Sequence, residues 1–421
     1  MINERSLAAL AAARLPGGRV RPLYDSYCFS RIPGTILGLF GDDSADALPG
    51  DVLPPLGAEP PRVVAVLADA VGWAFVERYA ERAPLLARMR EQGVVSQLTS
   101  QFPSTTSAHV TTLHTTQPVG EHGLYEWNIY EPSLERVVCP LLAAFAGEDA
   151  GGLLAAGADL GLLYPQADGL ARRVARRGVT CNLVQPAHTV DSPYTRLVCG
   201  GAPVHGFATA REGAALAAAL AQAAAPSLTV LYLDDFDTAG HDFGPGDPRS
   251  EAVLLELLDA LEQELADALA GIPGALVLLF ADHGQVAADP ERCVYVNERC
   301  PELVPLLRTG ADGLPLAPAG SARDLFLHVR EGALDDAAGL LAALFGDDAW
   351  VVPTAALAAD GVFGPVVSER FRERVGDLVV LPREGVEAWW HEPGRFAQTL
   401  RGHHGGLEPA EAETWLGALV P

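Results

Sequence analysis

The chain has 421 residues, a formal net charge of −25, and 49% hydrophobic against 20% charged residues. That profile excludes a disordered chain and allows one large domain or two ordinary ones with a sizeable core. The acidity excludes a nucleic-acid-binding surface, which needs clustered Lys and Arg. An anionic ligand would be repelled at long range unless a strong local positive charge, such as a metal, drew it in.

Residues 1–60 are irregular, with repeated Pro and Gly and an acidic patch, GDDSADALPGD. They read as an N-terminal wrap rather than an independent domain. The opening MINERSLAALAAARLPGG resembles an amphipathic helix more than a signal peptide, because Arg closes its short apolar stretch. No run approaches the length that crosses a bilayer. Cysteines 28, 139, 181, 199, 293 and 300 show no CxxC spacing and read as mostly free thiols. A cytoplasmic protein without a membrane partner is expected; the oligomeric state is left open.

Regular pattern begins at RVVAVLAD (62–69), a continuous apolar run of the kind that forms a strand buried on both faces. A helical stretch, GWAFVERYAERAPLLARMREQ, and a second strand, GVVSQLTS, follow. Further strands are predicted at VTCNLVQ, SLTVLYLD, GALVLLFAD, ARDLFLHVR and GDLVVLP. Helices are predicted between them at REGAALAAALAQAAA, PRSEAVLLELLDALEQELADALAG and GALDDAAGLLAALFG. In the second of these, Leu254, Leu257, Leu258, Leu261, Leu265 and Leu269 recur at helical spacing and Gly271 is placed to stop the helix. Strands alternating with helices point to an α/β sandwich with a mostly parallel sheet over residues 61–421. The segment from about 129 to 225 is richer in loops and reads as a possible cover for the site.

In such a fold, ligands gather outside the carboxyl ends of the strands. RVVAVLAD ends at Asp69, SLTVLYLD runs into Asp234, Asp235 and Asp237, and GALVLLFAD ends at Asp282, followed by His283. Three acidic strand ends at one edge would repel one another unless cations sat between them. Asp237 and His241 lie four residues apart, and RGHHGGLEP adds His403 and His404. Counting Asp69, Asp237, His241, Asp282, His283 and one terminal histidine gives three side chains for each of two cations. A dispersed, open set of carboxylates and imidazoles fits a catalytic pair better than a closed structural site. Zinc suits these ligands, with manganese or iron as alternatives. Between the second strand and the next helix, QFPSTTSAHV places Thr105, Thr106 and Ser107 in a first helical turn, where a hydroxyl feels the positive helix end.

The ordered set Asp69, FPSTTSAH, DTAGHDFGP, ADHG and GHHGG resembles the alkaline phosphatase superfamily. Within it, the resemblance is to the nucleotide pyrophosphatase/phosphodiesterase branch, over residues 63 to about 406. It implies a three-layer α/β/α sandwich and two divalent cations. Asp237, His241 and His404 would hold one of them, and Asp69, Asp282 and His283 the other. It also implies Thr106 as nucleophile, passing through a phospho-threonine intermediate, and Asn128 as a grip on a phosphoryl oxygen. The first motif departs from relatives in reading DAVGW, and the sulfatase pattern Cys-any-Pro-any-Arg is absent. The expected substrate is a small phosphate ester or nucleotide-like diester. The alternatives are a phosphomonoesterase, phosphonate hydrolase or phosphomutase on the same scaffold, or a catalytically silent metal-binding member. No Arg lies between Thr106 and Asn128, which favours diesters, unless one arrives from elsewhere in the fold.

Overall fold

The computed structural model describes all 421 residues. Its central sheet has seven strands: β1 (Arg62–Ala68), β2 (Val94–Thr99), β3 (Thr180–Pro186), β4 (Val204–Phe207), β5 (Ser227–Leu233), β6 (Ala275–Phe280) and β7 (Glu413–Leu419). The spatial order is β2-β7-β6-β1-β5-β3-β4. Only β7 runs against its neighbours, β2 and β6. The sheet is therefore mostly parallel, as the alternation of strands and helices implied.

Strand β1 shows why its sequence is apolar throughout. Val63, Ala65 and Leu67 enter the larger of two cores, whereas Val64, Val66 and Ala68 enter the smaller one on the opposite face. Alternate side chains of one strand thus feed two separate layers. The smaller core is closed by helices Trp73–Tyr79, Pro84–Gln92, Ala210–Ala223 and Pro248–Ala260. On the other face, helices Ile32–Leu39, Thr106–Thr115 and Leu170–Ala175 bring Ile36, Leu113 and Val174 to the larger core. All six leucines singled out between Leu254 and Leu269 are buried. Gly271 ends that stretch at a φ of +71°, which a side-chain-bearing residue adopts poorly.

Several expectations need correction. The helical stretch 72–92 is two helices, because Pro84 cannot extend the first and instead opens the second. The strands read at ARDLFLHVR and GDLVVLP do not join the parallel sheet. Asp324–Leu327 and Leu378–Pro382 pair antiparallel in a separate four-stranded sheet with Ala319–Ser321 and Ala349–Pro353. Strands β4 and β7 were not anticipated. The segment 129–225 contains β3 and β4, together with a small three-stranded sheet formed by Ile129–Glu131, Arg136–Cys139 and Ala144–Phe145. The first 60 residues bridge to β2 through Ile2 and Val95, and bury Phe29, Ile32 and Ile36 in the shared core. All six cysteines are free thiols, and no helix is long and apolar enough to cross a membrane.

Candidate active site

Register decides which residues leave the sheet together. Ala68 pairs with Leu233 and Leu67 pairs with Phe280, so the chain emerges from β1, β5 and β6 at one level. Asp69 and Asp234 follow directly, and Asp282 lies two residues beyond the end of β6, after Ala281. From β5 the chain turns straight into the helix Asp235–Phe243, which places Asp237 in its first turn and His241 in its last.

Two clusters form there. In the first, Asp237 Oδ2 lies 3.3 Å from His241 Nε2, and Asp237 Oδ1 lies 3.6 Å from His404 Nε2. In the second, His283 Nε2 lies 3.5 Å from Asp69 Oδ1 and 3.4 Å from Asp282 Oδ2. The Asp237 carboxylate also falls within 4.8 Å of the ligand atoms of Asp69 and His283, so it stands between the two groups. The rings of His283 and His404 stack at 3.8 Å and 16°. All six side chains singled out as ligands therefore converge, and His404 rather than His403 faces Asp237.

The donor chemistry fits cations. His241, His283 and His404 direct Nδ1 at the backbone carbonyls of Gly402, Gly284 and Ser104, at 2.8, 3.1 and 3.0 Å. An Nδ1–H donated to a carbonyl leaves the Nε2 lone pair free as a ligand. Asp282 Oδ1 accepts from the backbone N–H of Ala70 and His283, at 3.1 and 3.0 Å. Its Oδ2 is buried and has no donor, a costly state that a cation would relieve.

Electrostatics agree. Burial, followed by the charges of Asp282 and Asp237, raises Asp69 well above the usual carboxylate range. Burial pushes Asp282 up to about 7 and His404 down to about 4. Asp237 goes the other way: burial works against its charge, but the imidazoles of His241 and His404 outweigh it and hold the carboxyl low. Asp69 and Asp282 thus hold a proton more tightly than ordinary carboxyls while Asp237 does not, which is the behaviour of a carboxylate cluster short of positive charge.

Thr106 opens the helix Thr106–Thr115, whose N-cap is Thr105. Thr105 Oγ1 accepts from Ala108 N–H at 3.5 Å and donates to the Tyr125 carbonyl at 3.1 Å. The cap is thus Thr105, and the hydroxyl of Thr106 is left for other work. Thr106 Oγ1 lies 3.3 Å from both Asp69 oxygens and 3.2 Å from His283 Nε2. His109 is structural: Nδ1 donates to Thr105 O at 2.7 Å while Nε2 accepts from Gln101 N–H at 2.9 Å.

Two cavities meet at Thr106. One, of about 520 Å³, is lined by Asn128, His241, Arg395 and His404 among others. The other, of about 320 Å³, is lined by Asp69, Leu113, Leu142, Tyr194 and Tyr232 among others. Thr106, Trp127, Asp237 and Thr238 belong to both. Asn128 reaches the larger cavity, with its backbone bridged to Gly320 and its amide 3.4 Å from the Gly320 carbonyl.

Supporting residues escaped the sequence reading. Tyr232 donates to Asp69 Oδ2 at 2.6 Å, and Gln285 donates to Asp237 Oδ1 at 2.5 Å. A single phenol at the end of the apolar run SLTVLYL was the available signal for the first. Gln285, two residues beyond His283, offered none.

A mostly parallel sheet that gathers acid and imidazole groups at its carboxyl edge, beside a threonine at a helix start, is the architecture of the alkaline phosphatase superfamily. Comparison with known proteins narrows this. The chain belongs to the type I phosphodiesterase/nucleotide pyrophosphatase family, whose pattern it matches over residues 63–407, and is thereby an enzyme of the phosphoric ester hydrolase class. Among solved structures, murine ectonucleotide pyrophosphatase/phosphodiesterase 5, in an inactive form in complex with AMP, is similar at 18% identity and a TM-score of 0.61. That match covers 85% of this chain and 88% of the murine one. The human counterpart gives 18% identity and a TM-score of 0.62 over 85% of this chain and 87% of that one. Phosphonoacetate hydrolase from Sinorhizobium meliloti 1021, in complex with phosphonoformate, is similar at 18% identity and a TM-score of 0.61, covering 89% of this chain and 95% of that one. No curated protein sequence matches the chain.

Proposed function

We propose that the protein is a cation-dependent phosphodiesterase or nucleotide pyrophosphatase that acts through a covalent phospho-threonine at Thr106. The observation that carries this reading is the placement of the Thr106 hydroxyl within 3.3 Å of Asp69 and 3.2 Å of His283, beside the Asp237, His241 and His404 cluster. Asp237, His241 and His404 would hold one divalent cation, and Asp69, Asp282 and His283 the other, with zinc suited to the ligand set and manganese or iron as alternatives. When bound, the two cations supply charge that lowers the barrier to phosphoryl transfer and offsets the carboxylates that would repel an anionic ester.

The remaining roles belong to the chain. Thr106 Oγ1 attacks phosphorus and the ester oxygen leaves; water then cleaves the Thr106–phosphorus bond and restores the hydroxyl. The open N-terminus of the Thr106–Thr115 helix presents its positive end to the phosphoryl oxygens. Asn128, on the wall of the larger cavity, offers an amide to one of those oxygens. Tyr232 and Gln285 fix Asp69 and Asp237 from behind. A small phosphate ester or nucleotide-like molecule is the substrate class, in keeping with the AMP bound by the murine structure.

Arg395 supports a second reading. It is the sole Arg or Lys among the residues lining either cavity. Nε donates to Ala146 O at 3.0 Å, and Nη1 lies 3.4 Å from both oxygens of Glu392, which leaves Nη2 uncommitted. A guanidinium there favours substrates with a further negative group, such as a pyrophosphate or a phosphonate carrying a carboxylate, over a singly charged diester with uncharged alkyl arms. Assaying mono- and bis-nitrophenyl phosphate side by side with added zinc or manganese tests the main reading. Faster turnover of the diester is expected; a clear preference for the monoester would overturn it.

A further inference from the structure

Behind the two clusters lies a buried ion pair that touches no substrate cavity. Arg323 is 1% exposed and Glu411 is fully buried. Arg323 Nε and Nη2 donate to Glu411 Oε1 and Oε2 at 3.0 and 2.9 Å. The other guanidinium hydrogens go to the backbone carbonyls of Pro382, Arg383 and Val386, in the chain that closes the second sheet. A pair buried this completely is weak evidence for stability, because desolvation cancels much of the attraction. Its contacts suggest a different use.

Glu411 holds two ligand-bearing loops at once. Its Oε1 accepts from Gly406 N–H at 3.1 Å, two residues after His404. Its backbone carbonyl accepts from Gly284 N–H at 2.8 Å, one residue after His283. Gly406 in turn accepts from Ser104 Oγ at 2.8 Å, and Gly405 accepts from Ser104 N–H at 3.2 Å, so the loop that precedes Thr106 is tied to the same knot. A Cβ on Gly406 would stand 2.8 Å from Glu411 Oε2, so glycine is what lets the loop close on the carboxylate. The product of this arrangement is the stack of His283 on His404 at 3.8 Å, one ring from each cluster.

We infer that Arg323 and Glu411 are positioning residues that set the spacing between the two cation sites, anchoring the His283 and His404 loops to the second sheet. The inference rests on the reading of those histidines as cation ligands. Residues one layer behind the ligands commonly change cation affinity by about 10- to 100-fold when altered. Two variants separate this role from a role in folding alone. Glu411→Gln keeps an acceptor for Gly406 but leaves the Arg323 charge unbalanced. The double variant Arg323→Met with Glu411→Leu removes the side-chain bond to Gly406 and both charges while keeping the main-chain bond from Gly284, a replacement that buried pairs often tolerate.

Cobalt(II) is titrated into the cation-free full chain, with binding followed by visible absorption, and the thermal midpoint of the cation-free protein is measured alongside. The expected result is a wild type that takes up about two cobalt ions per chain. The double variant should keep a near-wild-type midpoint yet bind cobalt about 10- to 100-fold more weakly, with an altered visible spectrum. Wild-type affinity and spectrum in a folded double variant would overturn the inference while leaving the site reading intact. Failure of both variants to fold would also overturn it, since the pair would then serve the fold. A wild type that binds no cobalt would overturn the site reading itself.

Discussion

Neighbouring threonines at the start of one helix should respond to alanine in opposite ways. Thr105 is the N-cap: it accepts from Ala108 N–H, donates to the Tyr125 carbonyl and is 2% exposed. Thr105→Ala removes a cap worth about 1 kcal/mol and strands a buried carbonyl, for a total loss of roughly 1–3 kcal/mol. Thr106 caps nothing, and its three polar contacts are long, at 3.2–3.3 Å. Alanine also suits a helix better than threonine, so Thr106→Ala should leave stability within about 0.5 kcal/mol of wild type. Activity inverts the ranking. Without Oγ1 no covalent intermediate forms, and turnover should fall by about 10³-fold or more, at least ~4 kcal/mol of barrier. Thr105→Ala should keep turnover within about tenfold, because the attacking hydroxyl and the ligands stay in place. Urea denaturation of both variants, read beside turnover of bis-nitrophenyl phosphate, tests the pair of claims. A Thr106→Ala protein with a tenth or more of wild-type turnover would falsify the assignment of the nucleophile.

Cation content should be about two per chain in purified protein, and Asp237→Asn should lose the cation held with His241 and His404 and weaken the other, because that carboxylate also lies within 4.8 Å of the ligand atoms of Asp69 and His283; retention of both cations at wild-type affinity, measured by elemental analysis, would remove Asp237 from the ligand set. Burial raises Asp282 to about 7 from an ordinary 3.8 and lowers His404 to about 4, so the two groups pull the pH dependence of stability in opposite directions. Between pH 4 and 7 folded Asp282 keeps a proton that the unfolded chain has lost, so Asp282→Asn should gain stability relative to the cation-free wild type as pH rises over that range. Zinc, which replaces the proton, should restore more stability at pH 8 than at pH 5; melting curves showing the reverse order would refute this. Arg395→Ala should raise KM severalfold for pyrophosphate-bearing substrates while leaving bis-nitrophenyl phosphate nearly unchanged, and an equal effect on both would remove Arg395 from selectivity.

Those residues differ in how far the sequence announced them. Asp69 and Asp282 were legible because each ends a strand buried on both faces, and an acid there breaks an otherwise unbroken apolar run. His241 followed from its four-residue spacing to Asp237, which one helical turn converts into proximity. His404 was different: nothing local separates it from His403, and only the resemblance chose between them. Strand β7 was missed because its seven residues follow a glycine-rich loop that reads as a tail. Membership of the second sheet was illegible for another reason. An apolar run such as DLFL states that it is buried, but neither its partner nor its direction. Glu411 and Gln285 meet their partners only in the whole fold, so spacing carries no trace of them, whereas Tyr232 showed itself only as the one phenol in an apolar strand.

The two cavities bear on the choice between diester and monoester more directly than charge does. In-line displacement places the attacking and leaving oxygens on opposite sides of phosphorus. A monoester has a single carbon-bearing arm and needs room on one side. A diester has a second arm, which points neither at the nucleophile nor along the leaving direction. Here a polar space of about 520 Å³ that includes His241 and His404 and a more apolar one of about 320 Å³ that includes Asp69 and Tyr232 both open onto Thr106. Trp127, an exposed side chain, stands on the wall common to them. Replacing Leu142 in the smaller space by Trp should therefore block the second arm. Diester turnover would drop while hydrolysis of a monoester with the same leaving group persisted, and an equal loss for both would mean that the smaller space takes no part in binding.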